Sequence, residues 1–269
     1  MGGAILIHSA LFALGAAGLT KLFLISLAAG IGITAVGPGG VLMTIGLYAF
    51  TALSPAAVAG TAIVTHIGTG LVGTAAYVRS GQLRQRATRR LALILSTSAL
   101  LGVPLGMWIN AHVSKHGFGV LLGLFTAAIG LLVWHRQHGA HAHPAEPEHP
   151  ALSPALAVMV GLCVATASSL FGLGGPMVCV PLLVALKVPV LAALAAAQAQ
   201  SVVGSGIGAA GYALRGVIDW PLAAFIAVPQ ISGVVVGWKI AHSVPTRQLR
   251  YALAGILMAL APYLALYGG

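Results

Sequence analysis

The stretch Phe171-Gly172-Leu173-Gly174-Gly175-Pro176-Met177-Val178-Cys179-Val180-Pro181-Leu182-Leu183 interrupts one apolar run, 156–186, and Ala35-Val36-Gly37-Pro38-Gly39-Gly40 interrupts another, 22–50. Glycine admits backbone conformations that other residues avoid and proline has no amide donor, so a helix cannot pass smoothly through either segment. Each run is therefore predicted to be a broken or re-entrant pair of half-helices, the second members beginning near Val41 and Met177. The first amides of such half-helices have no intrahelical acceptor, and inside a membrane only protein or a ligand can satisfy them.

The rest of the chain sets the medium. Of 269 residues, 59% are hydrophobic and 6% charged, against about 25% charged in an ordinary soluble domain. Apolar runs of spanning length recur from Lys21 onward, which predicts an all-α integral membrane fold surrounded by a lipid bilayer. A β-barrel would instead show short alternating segments. The net charge of +10 suggests nucleic acid until its distribution is read. Most Lys and Arg lie in short loops between apolar runs, so the charge reports topology and no nucleic-acid partner is expected. Cys163 and Cys179 both fall inside apolar runs, which leaves neither a disulfide framework nor a zinc motif, and both read as small core residues. Residues 1–20 form an apolar N-terminal segment with no basic residue before it, a better fit to an uncleaved helix or interfacial segment than to a cleaved signal.

Shifting the sequence by 135 residues lays the second half on the first. Gly39-Gly40 then falls on Gly174-Gly175, Leu47 on Leu182, Gly73 on Gly208, Tyr77 on Tyr212, Gly81 on Gly216 and Gly102 on Gly237. The predicted organisation is a first transmembrane repeat over 21–135, a His- and Pro-rich linker over 136–153 and a second repeat over 154–269. After its broken pair, each repeat is predicted to hold three cleaner helices: Ala56–Val78, Leu91–Ile109 and Gly119–Trp134 in the first, Val190–Leu214, Leu222–Ile240 and Tyr251–Tyr267 in the second. The loop 79–90 carries Arg79, Arg84, Arg86, Arg89 and Arg90, whereas its counterpart, 215–220, has Arg215 balanced by Asp219. The next pair of loops reverses this bias: 110–117 has only Lys115, while 239–250 has Lys239, Arg247 and Arg250. Such a swap favours repeats of inverted topology, which require an odd number of crossings in each half.

The same breaks supply the candidate site. Gly37, Gly39 and Gly40 in one repeat, with Gly172, Gly174 and Gly175 in the other, would bring two half-helix N-termini, each a positive dipole end, to a cavity between the repeats. Close packing of helices on small residues is the alternative use of such glycines. The helix after each break adds polar side chains: Thr61, Thr65 and His66 in the first half, Gln198, Gln200 and Ser201 in the second. In the 135-residue register Thr65 falls on Gln200 and His66 on Ser201. His66 can hold a proton near neutral pH, or serve as a neutral residue bonded to a neighbouring helix. Tyr77 and Tyr212 read as interfacial anchors near helix ends. The only acids are Glu146, Glu148 and Asp219, all outside predicted spans. Cation carriers generally keep a carboxylate in the membrane, so the donors here point to an anion. His135, His138, His141, His143 and His149 invite a metal reading, but they lie in a Pro-broken linker without thiolates; no metal site and no cofactor is expected.

With its two-repeat plan, the 171–183 stretch and the weaker counterpart at Gly37-Pro38-Gly39-Gly40, the chain resembles the sulfite exporter TauE/SafE family of membrane permeases from about Lys21 to Tyr267. The resemblance implies movement of small oxyanions and organosulfur anions, such as sulfite or sulfoacetate, across a bacterial inner membrane. Gly46 stands where the second repeat has Pro181, so the two halves are expected to contribute unequally. The leading expectation is a secondary transporter, an exporter, of such an anion, compatible with a homodimer. Two rivals remain: a divalent-metal exporter using the His-rich linker, and a membrane enzyme or assembly factor. The second lacks intramembrane acids and any nucleophile–base–orienter set.

Overall fold

A computed structural model describes residues 9–35, 39–138 and 152–243, together with residue 255. Among these residues the chain is helical throughout, with no strand. A single turn, α1 (Ala10–Ala13), precedes α2 (Ala16–Ala35), α3 (Gly40–Phe50), α4 (Pro55–Arg79), α5 (Arg86–His112) and α6 (Lys115–His138). The second half runs α7 (Pro154–Phe171), α8 (Gly175–Ala185), α9 (Val190–Leu214) and α10 (Trp220–Ser243). Six of these helices are long and apolar enough to cross a membrane: α2, α4, α5, α7, α9 and α10. This is a multi-pass helical membrane protein, as its composition predicts. Leu101, Trp108, Leu124, Met159 and Val228 stand exposed on its outer faces, which suits contact with lipid tails as apolar as themselves.

The predicted pairs of half-helices are corrected: α2 and α7, before the breaks, are long enough to span, and only the members after the breaks, α3 and α8, are too short. α3 and α8 have 11 residues each, about 16 Å at 1.5 Å per residue, or half of a hydrocarbon core about 30 Å thick. They begin at Gly40 and Gly175, slightly earlier than the predicted starts near Val41 and Met177. Pro176 explains the shift in α8. It occupies the first turn, where its missing N–H would have had no intrahelical acceptor in any case. The break before α8 depends on Gly172, which ends α7 with φ 73° and ψ 28°. A side chain there would be strained by the left-handed conformation and would strike Ala59, whose Cα would lie 2.6 Å from the added Cβ.

Element boundaries keep the sequence register. α3 and α8 are 135 residues apart at both ends, and so are α4 and α9. Gly81 and Gly216, just after α4 and α9, both adopt positive φ. Packing follows an exchange between the halves: α2 makes its most extensive contacts with α10, and α5 with α7, while α4 packs on α9 at the centre. Small residues allow both exchanged pairs to close. A Cβ on Gly30 would run into the Gln230 carbonyl, and one on Gly106 into Thr166 and Ser169. The Thr34 hydroxyl donates to the Val234 carbonyl (2.9 Å) and the Ser169 hydroxyl to the Val103 carbonyl (3.0 Å). Such close, small-residue contact is how helices associate where lipid offers no hydrophobic drive.

Two expectations about single residues are corrected. Tyr212 is fully buried and donates to the Ser169 carbonyl (2.8 Å). It is a central packing residue and not an interfacial anchor, because the face of α9 that carries it is turned toward Gly60 of α4 and Ser169 of α7. Cys179 is buried as expected, but Cys163 is exposed on the outer face of α7; an apolar spanning helix has a lipid side as well as a core side. α6 continues to His138, so the first residues of the predicted linker are helical, while 139–151 and, apart from residue 255, the predicted last helix, 251–267, lie outside the described residues.

Candidate functional site

The starts of the two half-helices meet at His66. A Cβ on Gly40 would stand 3.0 Å from His66 Cε1 and 3.5 Å from the Gly174 amide nitrogen, and one on Gly174 would stand 2.9 Å from His66 Nδ1. The imidazole is thus clasped between the break of one half and that of the other, and only glycine leaves it that room. His66 is 1% exposed, and its Nε2 has no hydrogen-bond partner. An unpaired buried polar atom costs about 1–3 kcal/mol, so one in a native core calls for a partner beyond the side chains present.

Around it is a cavity of about 10 Å³, lined by Gly40, His66 and Thr69 from the first half and by Gly174, Gln198 and Ser201 from the second. That is about the room one water needs. No acid lines it. Asp219, the one acid among the described residues, is committed elsewhere: its carboxylate accepts from Ser9 Oγ and Ala10 N at 2.6 Å each and from Leu222 N at 3.0 Å. It caps the start of α10 and fastens the N-terminal turn to it. Among the described residues no group of three His, Cys, Asp or Glu gathers as a metal site would require.

The sequence-selected residues divide into three sets. Gly40, Gly174, His66, Gln198 and Ser201 gather around the cavity. Gly175, Gln200 and again Ser201 line a neighbouring one. Gly39, Gly172 and Thr65 serve the scaffold: a Cβ on Gly39 would strike the α2 backbone at Gly32 and Ile33, and the Thr65 hydroxyl turns back to the Ala62 carbonyl (2.8 Å). Gly37 lies outside the described residues. Thr61 is no cavity residue, since its hydroxyl accepts from the Asp219 backbone amide (3.1 Å). The half-helix start is also less open than expected at α8. Gly175 N–H already donates to Ser201 Oγ (3.3 Å), Met177 N–H to the Gly174 carbonyl (3.3 Å), and Pro176 has none to give. Sequence reasoning passed over Thr69, which lies three residues after His66 and hence on the same helix face.

A polytopic helical protein with two half-helices converging on a small cavity of mixed lining, with no carboxylate at it among the described residues, has the form of a membrane permease. The sequence profile of the sulfite exporter TauE/SafE family matches residues 22–264, and the chain belongs to that family of membrane transporters. It is 27% identical over 237 residues, 84% of this chain and 87% of the relative, to a "Probable membrane transporter protein" of Xylella fastidiosa (strain 9a5c). No solved structure matches.

Proposed function

We propose that the protein is a secondary transporter that exports a small sulfur-containing anion, such as sulfite or an organosulfonate, across the bacterial inner membrane. The single observation carrying this reading is His66 Nε2, buried and unpartnered in a cavity that both half-helix starts border and no carboxylate enters. A buried site without counter-charge, next to helix N-termini, favours negative charge, and the imidazole reinforces that preference when Nε2 carries a proton. Membership of the sulfite exporter TauE/SafE family supports the choice of anion.

The two halves are read as inverted repeats that rock about α4 and α9. A sulfur oxyanion is larger than the water-sized cavity, so its passage requires the half-helices to part, and the exchanged pairs α2–α10 and α5–α7 are the natural rigid bodies for that motion. Purified protein in vesicles loaded with sulfite tests the proposal. Sulfite should leave chemically unchanged and faster than from protein-free vesicles, and a shortened chain lacking 139–149 should keep near-normal flux. Efflux no faster than the leak would sink the reading; loss of flux on deletion would favour the metal-exporter alternative.

A further inference from the structure

The cavity at His66 has a neighbour of the same size, about 10 Å³, and the two share a wall. Ser201 lines both, and the bond from Gly175 N–H to Ser201 Oγ stands at their partition. Their linings correspond in the 135-residue register: Gly175, Ser201 and Gly204 border the second where Gly40, His66 and Thr69 border the first. Ser168 likewise replaces Ile33. At these positions the second cavity is the register counterpart of the first, with the imidazole replaced by a hydroxyl, Ile33 by Ser168 and Gln198 by Ile63, while Val103, Ala165 and Leu173 make the rest of its wall apolar.

Its free polar atoms differ accordingly. Ser168 Oγ and Gln200 Oε1 are buried without partners, on residues 8% and 2% exposed. The Gln200 amide has a fixed sense, because its Nε2 donates to the Gly161 carbonyl (3.3 Å), a group that can only accept; Oε1 is therefore the free end. Where the first cavity offers an imidazole, the second offers an obligate acceptor beside a hydroxyl able to donate or accept.

We propose that this second cavity is a further ligand subsite, neutral and selective for an oxyanion that also carries a hydroxyl, entered when the Gly175–Ser201 bond opens. The anion's O–H donates to Gln200 Oε1, and Ser168 Oγ–H donates to one of its oxygens. This rests on the transport reading above and adds a selectivity which that reading does not contain.

The test uses the full chain in vesicles with three probes measured separately: sulfite, ethanesulfonate and 2-hydroxyethanesulfonate. The hydroxylated sulfonate should outrun its matched partner by roughly three- to tenfold, the worth of one hydrogen bond. The gap should close in Gln200→Leu and narrow in Ser168→Ala, a change small enough to leave the α7 packing intact. Equal flux of the two sulfonates, or a gap surviving both substitutions, would overturn the subsite and leave a water pocket between helices. Sulfite separates the failures: absent sulfite flux sinks transport and subsite together, whereas sulfite flux without hydroxyl preference sinks the subsite alone.

Discussion

Gly39 and Gly40 are adjacent, and one methyl group added to each should give opposite phenotypes. In Gly40→Ala the new Cβ stands 3.0 Å from His66 Cε1 and 3.5 Å from the Gly174 nitrogen. Carbon pairs settle at about 3.5–4.0 Å, so the imidazole must retreat by roughly 0.5 Å. A ring at the end of a side chain can do so, which places the stability cost near the lower end of the usual overpacking range, about 1 kcal/mol. The same methyl occupies a cavity of only about 10 Å³. If the anion binds there, its barrier should rise by at least about 1.4 kcal/mol, a tenfold fall in flux. In Gly39→Ala the Cβ meets the backbone of Gly32 and Ile33 and the Ala29 carbonyl. Backbone cannot swing aside, so α2 and α3 must separate, at about 3 kcal/mol or more. Thermal unfolding in detergent and sulfite efflux from vesicles read the two effects independently. Gly40→Ala with unchanged flux, or Gly39→Ala as stable as Gly40→Ala, would refute the placement of the site at this break.

His66→Phe removes both ring nitrogens and sets a larger ring between Gly40 and Gly174; sulfite efflux should fall about tenfold or more, the worth of a charge-assisted hydrogen bond, while overpacking lowers stability by about 1–3 kcal/mol, and a fully active variant would reduce His66 to packing. Gly106→Ala drives a Cβ into Thr166 and Ser169 across the α5–α7 contact, and should lower the unfolding midpoint by an amount corresponding to about 2–3 kcal/mol; an unchanged midpoint would mean that this pair is not closely apposed. Asp219→Ala removes the acceptor for Ser9, Ala10 and Leu222, and should cost about 1–2 kcal/mol as a lost cap and expose the first residues to protease, while wild-type resistance of the N-terminus would discount the tether.

Much of this was legible from residue type and spacing. The breaks follow from glycine and proline chemistry, which is local, and the 135-residue register carried α3 onto α8 and α4 onto α9 end for end. The site was legible only in part. His66 and Ser201 meet at one cavity because equivalent positions on α4 and α9 face each other at the centre. Thr65 and Gln200, one residue earlier, have turned about 100° around their helices and reach different surroundings. Which of two adjacent polar residues faces the centre depends on helix rotation, and α4 and α9 are so uniformly apolar and small that periodicity cannot fix it. Tyr212 was misread for the same reason: position near a helix end says nothing of what lies beside that end.

On the proposed repeat reading, an unequal contribution of the halves gives the duplication its physical meaning. Two identical half-sites would hold an anion equally well at both, and an occupant with no preferred position gains nothing from moving between them. Here the register pairs His66 with Ser201 and Ile33 with Ser168, so one subsite presents an imidazole, and the other presents hydroxyls and an amide oxygen set among the apolar side chains of Ile63, Val103, Ala165 and Leu173. The partition is a single hydrogen bond from the first amide of α8 to Ser201 Oγ at 3.3 Å, worth about 0.5–1.5 kcal/mol net. A barrier of that size is within reach of a ligand that replaces the bond it breaks. Ser201→Ala should therefore do more than loosen α8: with the partition's acceptor gone, the Gly175 N–H becomes available to the anion, so binding at the second subsite, which Gly175 lines, should tighten while release slows. The signature is a lower half-saturation concentration for sulfite with a lower maximal efflux rate. If both values stay at wild type, or the half-saturation concentration rises, the bond is only a helix cap and the two cavities do not exchange a ligand through it.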